Sequence, residues 1–552
     1  MKIPFDRSCL RSALERMDIA DIAQATIRQS GDIARMMERE TGAEFLHLEM
    51  GVPGLPPERA GVEAECAALQ AGVASQYPNM FGIPELKTQA SRFLKAFLDV
   101  EVAPRGCIPT VGSMQGSFTT FLLCSQLDPQ RRKILFIDPG FPVQRSQVRI
   151  LGIPSESFDI YDFRGEKLGP KIESYLSAGD VAAIVYSNPN NPAWVCLTEE
   201  ELRTIGVLAT KYDIVVIEDL AYLCMDFRKP LGRPFEAPYQ ASVARYTDNY
   251  ILLVSGSKIF SYAGQRIAVA ALSETLRRRD YPALRRRYNI GRLGDAFVLV
   301  FLYAASSGTS HSAQHALAAM FRTAADGELD FVSEASEYAR RARLTKETFL
   351  RHGFRIVYDK DRDEAVSDGF FYTVGYGTMT SAELLSELLL CGICAISLTS
   401  TGSRQHGIIM AHDKERAAQR PGVPGEQQGH LPGVGFVKAC RGLVRQNDAR
   451  FEQHGPRNGD PLLFPTRQRP YFPGGADVHL FEQAAPAPDQ GFRDAPSGEG
   501  CGQEHVFQRF QLGEKLEVLK DETDMLPAPA ISFVFGQRAG YGRAPAYGSP
   551  VR

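Results

Sequence analysis

Residues 254–269 read VSGSKIFSYAGQRIAV. The apolar run YILLV (250–254) gives way to Ser255, Ser257 and Lys258, and Arg266 follows eight positions after the lysine. A lysine just past a buried strand calls for a chemical reason, because burial disfavours its charged form. Working outward from it, KILFID (133–138), VAAIVYS (181–187), DIVVIED (213–219), YILLVSG (250–256) and RIAVAAL (266–272) have strand length and are apolar on both faces. Around them, PELKTQASRFLKAFL (84–98), SMQGSFTTFLLCSQL (113–127) and TEEELRTIGVLATKY (198–212) carry apolar residues at helical spacing. The last of these opens on a Thr198–Glu201 capping box. Strands alternating with helices predict an α/β domain on a mostly parallel sheet, with its site beyond the carboxyl ends of the strands.

Bulk composition excludes several classes. At 552 residues the chain suits two or three folded units. Its 62 basic and 65 acidic residues give a formal net charge of −3, so no global field draws nucleic acid or an anionic membrane. The ten cysteines show no spaced framework, which suits a reducing compartment. Cys391 and Cys394 form a C-x-x-C in LLLCGICAIS that reads as a helix end at Gly392 followed by a buried strand. A metal site built on it would need a second pair, so no metal is expected. The charged N-terminus MKIPFDRSCLRSALERMDIA lacks a signal-peptide core, and the run AFVLVFLYAA (296–305) is too short to span a bilayer. A soluble, cytoplasmic protein is expected.

A second unit is expected from helical FVSEASEYARRARLTKETFLRHG, then FRIVYD, GFFYTVGY, a further helix and GICAISL. The expected division is an N-terminal segment (1–75) contributing to a small domain, a large domain (76–310), a small α+β domain (311–410) and a tail (411–552). In the tail glycine and proline rise to about a quarter of positions, twice their upstream share, and apolar periodicity fades. Such a stretch is expected to be irregular and of low order.

The chemistry-bearing residues cluster at the strand ends. A lysine in a dry site becomes a nucleophile able to form a Schiff base, and two hydroxyls with an arginine suit a phosphate dianion. Lys258 with Ser255, Ser257 and Arg266 therefore describes a cradle for pyridoxal 5'-phosphate. DIVVIEDLAY puts Asp219 at a strand end, where a carboxylate can hold a pyridine nitrogen protonated, with Tyr222 three residues on. Asn191, in YSNPNNPAW, can donate to a phenolic oxygen, and Phe141, in FIDPGFP, can stack on a flat ring. TVGSMQGSF offers Gly112, Ser113 and Met114 at a strand-to-helix turn whose backbone amides suit a phosphate.

Taken together and in order, YPNMFGIPEL, TVGSMQG, DPGFP, NPNNP, EDLAY and SGSKIFSYAGQR resemble the class I/II, fold-type I pyridoxal-phosphate-dependent aminotransferases over roughly residues 30–408. The resemblance implies a large domain with a mostly parallel seven-stranded sheet and a smaller α+β domain. It implies that Lys258 holds the cofactor as an internal aldimine and shuttles the substrate α-proton. Asp219 would pair with the pyridine nitrogen, Tyr222 and Asn191 would donate to the phenolic oxygen, and Phe141 would stack on the ring. Ser113, Met114, Ser255, Ser257 and Arg266 would hold the phosphate. Tyr77 matches a tyrosine that reaches the neighbouring subunit's phosphate, which implies a homodimer with shared sites. Gly51, in LEMGVPG, matches the segment that closes over the amino-acid and 2-oxo-acid substrates.

Three departures accompany the resemblance. The family's N-P-T-G is Asn191-Pro192-Ala193-Trp194 here, a swap expected to reshape the substrate side of the pocket, and its proline–glycine before the phosphate arginine is Ala263-Gly264, a mild change. The arginine expected to grip the substrate carboxylate is Ile409, in HGIIMAHDKERAAQRPGVPG, with Arg404 the nearby substitute, and no closing strand and helix follow. A frameshift or gene fusion at this point is one reading and a divergent extension the other. The expected activity is amino-group transfer between an amino acid and a 2-oxo acid. Another reaction of the same fold (β-lyase, racemase or decarboxylase) and a catalytically impaired cofactor-binding protein are the alternatives. LRRRDYPALRRRYN (276–289) reads as solvated helix faces, with a cation for an acidic substrate across the dimer as the other reading.

Overall fold

The structure, a computed structural model, describes residues 5–411. The low-order tail expected over 411–552, and the stretch where a closing strand and helix were sought, lie outside the described residues apart from Ala411.

Seven strands form the main sheet: β1 (Cys107–Thr110), β2 (Lys133–Asp138), β3 (Ser155–Asp159), β4 (Val181–Ser187), β5 (Val215–Asp219), β6 (Tyr250–Ser255) and β7 (Ala268–Leu272). Their order is β1-β7-β6-β5-β4-β2-β3, and β7 alone runs against its neighbours. Strand alternation sends Ile184 and Tyr186 of β4 into one apolar core and Ala183 and Val185 into another on the opposite face. Tyr250, Leu252 and Val254 of β6 divide from Ile251 and Leu253 in the same way. Both faces are therefore covered, which is why these strands read as unbroken apolar runs. Each large side chain so buried contributes about 1.5–3 kcal/mol.

Two sheet strands carry no such signal. β3 sits at the sheet edge with Ser155 and Glu156 exposed, and β1 is four residues long with Pro109 inside it. The helix Pro84–Leu98 starts on proline and stops at Asp99 in a left-handed conformation. The helix Glu199–Tyr212 begins on the Thr198–Glu201 capping box, with the Glu201 N–H donating to Thr198 Oγ1 at 3.2 Å. The helix His311–Ala325 joins the same core, stacking Phe321 on Phe93 with ring centroids 4.4 Å apart. The core of the large sheet thus runs on past residue 310.

A second sheet is wholly antiparallel, in the order β10-β11-β9-β8. Its strands are β8 (Phe354–Ile356), β9 (Tyr372–Tyr376), β10 (Ile396–Ser397) and β11 (Ile408–Met410). Its core gathers Phe349, Val374, Leu385 and Met410 together with Phe5, Leu10, Ile33 and Met37 from the N-terminal segment. The short strand Leu46–His47 pairs in parallel with Ile393–Cys394, which follows the helix Ser381–Leu390 and the turn at Gly392 (φ +78°). Among the described residues no helix is long and apolar enough to cross a membrane.

Candidate active site

The end of β6 turns at once into one helical turn, Gly256–Ile259. Ser255 caps it, its buried Oγ accepting the Ser257 N–H at 3.1 Å. Lys258 leaves this turn, donates from Nζ to the Gly51 carbonyl and lies 5.0 Å from the centroid of the Phe370 ring. Burial, assisted by the Arg266 guanidinium, lowers its pKa to about 8. The amine is thus held near the balance between proton carrier and nucleophile.

Asp219 closes β5 beside it in the sheet, 6% exposed. Its Oδ2 accepts from Gln144 Nε2 at 2.9 Å and its Oδ1 from the Ala221 N–H at 3.2 Å. Burial raises its pKa to about 6, and among the described residues no cationic side chain pairs with it. Tyr222, also buried, accepts from Asn191 Nδ2 at 3.4 Å, and the Asn191 N–H is held by Ser187 Oγ at 2.9 Å. Asn191 and Tyr222, from two different strand ends, are thereby brought together.

At the opposite end of this cluster the helix Gly112–Cys124 starts without a side-chain cap. Gly112 has φ +65°, and a Cβ there would stand 2.5 Å from Arg266 Nη2. The guanidinium therefore lies against the first turn, where the helix leaves unpaired N–H groups and Ser113 and Met114 follow. Arg266 Nη1 is steadied by the Ala263 carbonyl at 3.1 Å, and the Met114 carbonyl accepts from Gln147 Nε2 at 2.8 Å. Phe141 is half-buried and precedes the helix Pro142–Ile150 that carries Gln144 and Gln147.

A strap and an aromatic wall close the third side. A Cβ on Gly51 would stand 2.4 Å from Phe371 Cζ and 3.1 Å from Phe370 Cε1, so this segment passes directly over the two rings. Tyr338 fixes it, its hydroxyl accepting the Gly54 N–H (3.1 Å) and the Leu55 N–H (3.3 Å). Trp194 does not open towards this space. It is 1% exposed, packs edge-on to Tyr222 with centroids 5.2 Å apart, and demands a glycine at 369, where a Cβ would meet its Cε2 at 1.8 Å. Sequence reasoning missed Gln144, Tyr338, Phe370 and Phe371. The signal for Gln144 was two glutamines three apart on a helix that opens at a strand end; the aromatic residues carry none beyond ordinary core composition.

Three sequence-derived residues stand apart. Tyr77 is 92% exposed and belongs to no contact of the cluster within one chain. Arg404 is exposed, and among the described residues only its backbone N–H is bonded, to Asp159 Oδ2 at 3.2 Å. Ile409 is buried in β11, opposite Thr373 and Ile396. Arginines 277, 279 and 285 of the basic segment are spent on Glu274, Asp213 and Asp280.

The donor set fits pyridoxal phosphate on its own terms. An uncapped helix start with a guanidinium against it suits the phosphate. A buried carboxylate without a cation suits a protonated ring nitrogen, and a half-buried amine of lowered pKa suits an aldehyde.

The family model described as aminotransferase class I and II matches residues 44–387. Glutamate-pyruvate aminotransferase AlaC of Escherichia coli (strain K12) is 28% identical over 247 residues, which is 44% of this chain and 57% of that protein. Aspartate aminotransferase of Bacillus subtilis (strain 168) is 24% identical over 238 residues, 43% of this chain and 58% of that protein. The chain thus spans under two thirds of the length of these curated relatives. Aspartate aminotransferase from Thermus thermophilus with maleate superposes with a TM-score of 0.58 at 19% identity, covering 76% of this chain and 96% of that one. At that identity the likeness speaks for the fold.

Proposed function

The chain belongs to the class I and II aminotransferases and has their fold-type I architecture, and from this premise we infer that it is a pyridoxal-phosphate-dependent aminotransferase. It moves an amino group between an amino acid and a 2-oxo acid. The observation that supports the reading is that Lys258, Asp219 and Arg266 stand at the ends of neighbouring strands, with burial lowering the lysine pKa and the Asp219 carboxylate left without a cationic partner among the described residues.

Pyridoxal phosphate, when bound, supplies an aldehyde for an amine to capture and a ring that draws off electron density. Arg266, Ser255, Ser257, Ser113 and Met114 would hold its phosphate, the arginine as the charge-assisted donor. Asp219 would keep a proton on the ring nitrogen, with Gln144 holding the carboxylate in place. Asn191 and Tyr222 would donate to the phenolic oxygen, and Phe141 would stack on the ring. Lys258 Nζ is the nucleophile and then the base that moves the substrate α-proton. Its lowered pKa serves both tasks, since a fully protonated amine does neither. Phe370, Phe371 and the 51–55 strap exclude water from it. Gly51 and Arg404 would bind the substrate, Arg404, apart from the cluster within one chain, as the replacement for the family's carboxylate arginine. Tyr77, exposed in one chain, would reach the phosphate of a second copy in a homodimer with shared sites, working in the cytoplasm.

The visible absorbance of the purified full chain tests this reading, recorded before and after borohydride, with the reduced adduct mapped by peptide mass. A yellow protein with its adduct on Lys258 is expected. Amino acids should then convert the cofactor to its amine form, and a 2-oxo acid should return it. An amine form that no 2-oxo acid returns would overturn transamination in favour of another reaction of the fold.

A further inference from the structure

The strap over Lys258 is tied to the second domain by the strand pair Leu46–His47 and Ile393–Cys394, with His47 in register opposite Cys394. Beside this pair lies Glu49, 2% exposed and two residues before Gly51. One ring nitrogen of His47, one carboxylate oxygen of Glu49 and Cys394 Sγ all lie within 4.8 Å of one another. Nothing in the transamination reading uses them.

The contacts of His47 are unusual for an ordinary core histidine. Its Nδ1 stands 3.1 Å from Glu49 Oε1 and its Nε2 3.4 Å from Glu38 Oε1. Glu38 is itself fixed, since the same Oε1 accepts the Phe45 N–H at 2.9 Å. With both ring nitrogens facing carboxylate oxygens, a neutral imidazole can satisfy one side only. A doubly protonated ring would satisfy both, but it leaves the rest of the cluster unexplained. Glu49 Oε2 is buried without a hydrogen-bond partner among the described residues, as is Ser30 Oγ, while the Cys394 thiol donates to the Ser30 backbone carbonyl at 3.3 Å, a bond the thiolate would give up to the ion. An unpaired carboxylate oxygen in the interior is costly unless a cation meets it.

We propose that His47, Glu49 and Cys394 form a binding site for one zinc-class divalent cation. A nitrogen, a carboxylate oxygen and a thiolate sulfur make a donor set of the borderline-soft kind that zinc takes. Zinc–ligand bonds of about 2.0–2.3 Å in a tetrahedron set neighbouring ligand atoms roughly 3.3–3.8 Å apart, so atoms already within 4.8 Å need only small side-chain movements. With the imidazole neutral, the thiolate and the Glu49 carboxylate carry two negative charges, which a divalent ion cancels. The nearby Arg35 guanidinium is engaged by Asp32 at 2.7 Å. Glu38 completes the arrangement as the outer partner that accepts the Nε2 proton and turns Nδ1 towards the ion. A water takes the fourth position. The ion would pin residues 46–49, and with them the start of the strap over Lys258.

Cobalt(II) titration of the full chain tests the site, because a thiolate ligand gives a charge-transfer band that carboxylates and imidazoles do not. Saturation at one equivalent is expected, with the band abolished in Cys394→Ser and unchanged in Cys391→Ser. His47→Gln should weaken binding at least about 100-fold, and Glu38→Gln about 10- to 100-fold. Far-UV circular dichroism shows which variants fold, and the histidine variant decides the matter should Cys394→Ser not fold. No band in the parent chain, a band that survives Cys394→Ser, or affinity unchanged in His47→Gln overturns the proposal.

Discussion

The two ends of the candidate site are built differently. The cofactor end rests on β5 and β6, central strands buried on both faces, and its polar groups are bonded into the sheet: Asp219 by Gln144 and Ala221, Asn191 by Ser187, Ser257 by Ser255. The end proposed to take the substrate carboxylate rests on the 402–407 turn and β11, where Ile409 is spent on packing and the Arg404 guanidinium bonds to none of the described residues. The first region is pre-organised by core packing, whereas the second is carried by a loop. Preorganisation is what makes a charged or nucleophilic group effective, so single changes should be severe in the first and mild in the second.

The largest effect belongs to Lys258. Replacing it by alanine removes both nucleophile and proton carrier, so single-turnover conversion of a bound amino acid should fall by about 10³–10⁴-fold. In the parent chain freed of cofactor, the rate of aldehyde capture should rise with pH through a midpoint near 8, since neutral Nζ is the reacting form. A midpoint near the ordinary lysine value would mean that the amine is not desolvated, and the contrast between the two ends would weaken.

Asp219 comes next, and here pH supplies the sign. Its folded pKa, about 6, lies above the ordinary value of 3.8, so without a cationic partner its contribution to stability is present at low pH and lost as pH rises from about 4 through 6. The loss is on the order of 3 kcal/mol. A protonated ring nitrogen against the carboxylate cancels that cost, so pyridoxal phosphate should raise the Tm more at pH 7.5 than at pH 5, by calorimetry. Asp219→Asn should flatten this pH dependence and slow transamination about 10²-fold, as loss of a buried charge-assisted bond does. An equal gain in Tm at both pH values would place the carboxylate away from the ring.

How much of this was readable without coordinates follows the same division. The runs at 133–138, 181–187 and 250–255 are strands because both faces are covered, and double-sided burial leaves an apolar signature of its own. Lys258, Asp219 and Asn191 were legible because a polar residue at the end of such a run stands out. Edge strand β3 was not, since half of it faces water and its composition looks like a loop. Gln144, Tyr338 and Phe370 were not either, because their roles depend on partners 75, 284 and 112 positions away in the chain (Asp219, Gly54 and Lys258), a separation that no local pattern encodes. Trp194 shows the opposite error: a motif departure that suggests a reshaped substrate pocket turns out to be core packing beneath Tyr222.

Gly112 tests how far preorganisation extends towards the phosphate. Gly112→Ala places a Cβ at 2.5 Å from Arg266 Nη2 and asks an L-residue to hold φ +65°. The guanidinium can swing aside, but the helix start cannot, so affinity for pyridoxal phosphate should drop about tenfold, by equilibrium dialysis, with the fold retained. Unchanged affinity would show that Arg266 is free to re-aim, and that the cofactor end is less rigid than its hydrogen bonds suggest.

The smallest effect is expected at Arg404, and it is the change best placed to overturn the contrast. An exposed guanidinium without a bonded partner among the described residues loses side-chain freedom on gripping a carboxylate, and water competes for both. Arg404→Ala should therefore raise the KM for the amino acid no more than about threefold and leave kcat alone. An arginine that closes bidentately on the substrate in a dry site is worth far more, roughly 10²-fold in KM on removal, because the carboxylate it leaves behind stays buried and unpaired. A rise of that size would mean that the turn at 402–407 folds inward on the bound substrate. The carboxylate end would then be assembled by binding itself, with Arg404 supplying across a loop what Ile409 no longer supplies from its strand.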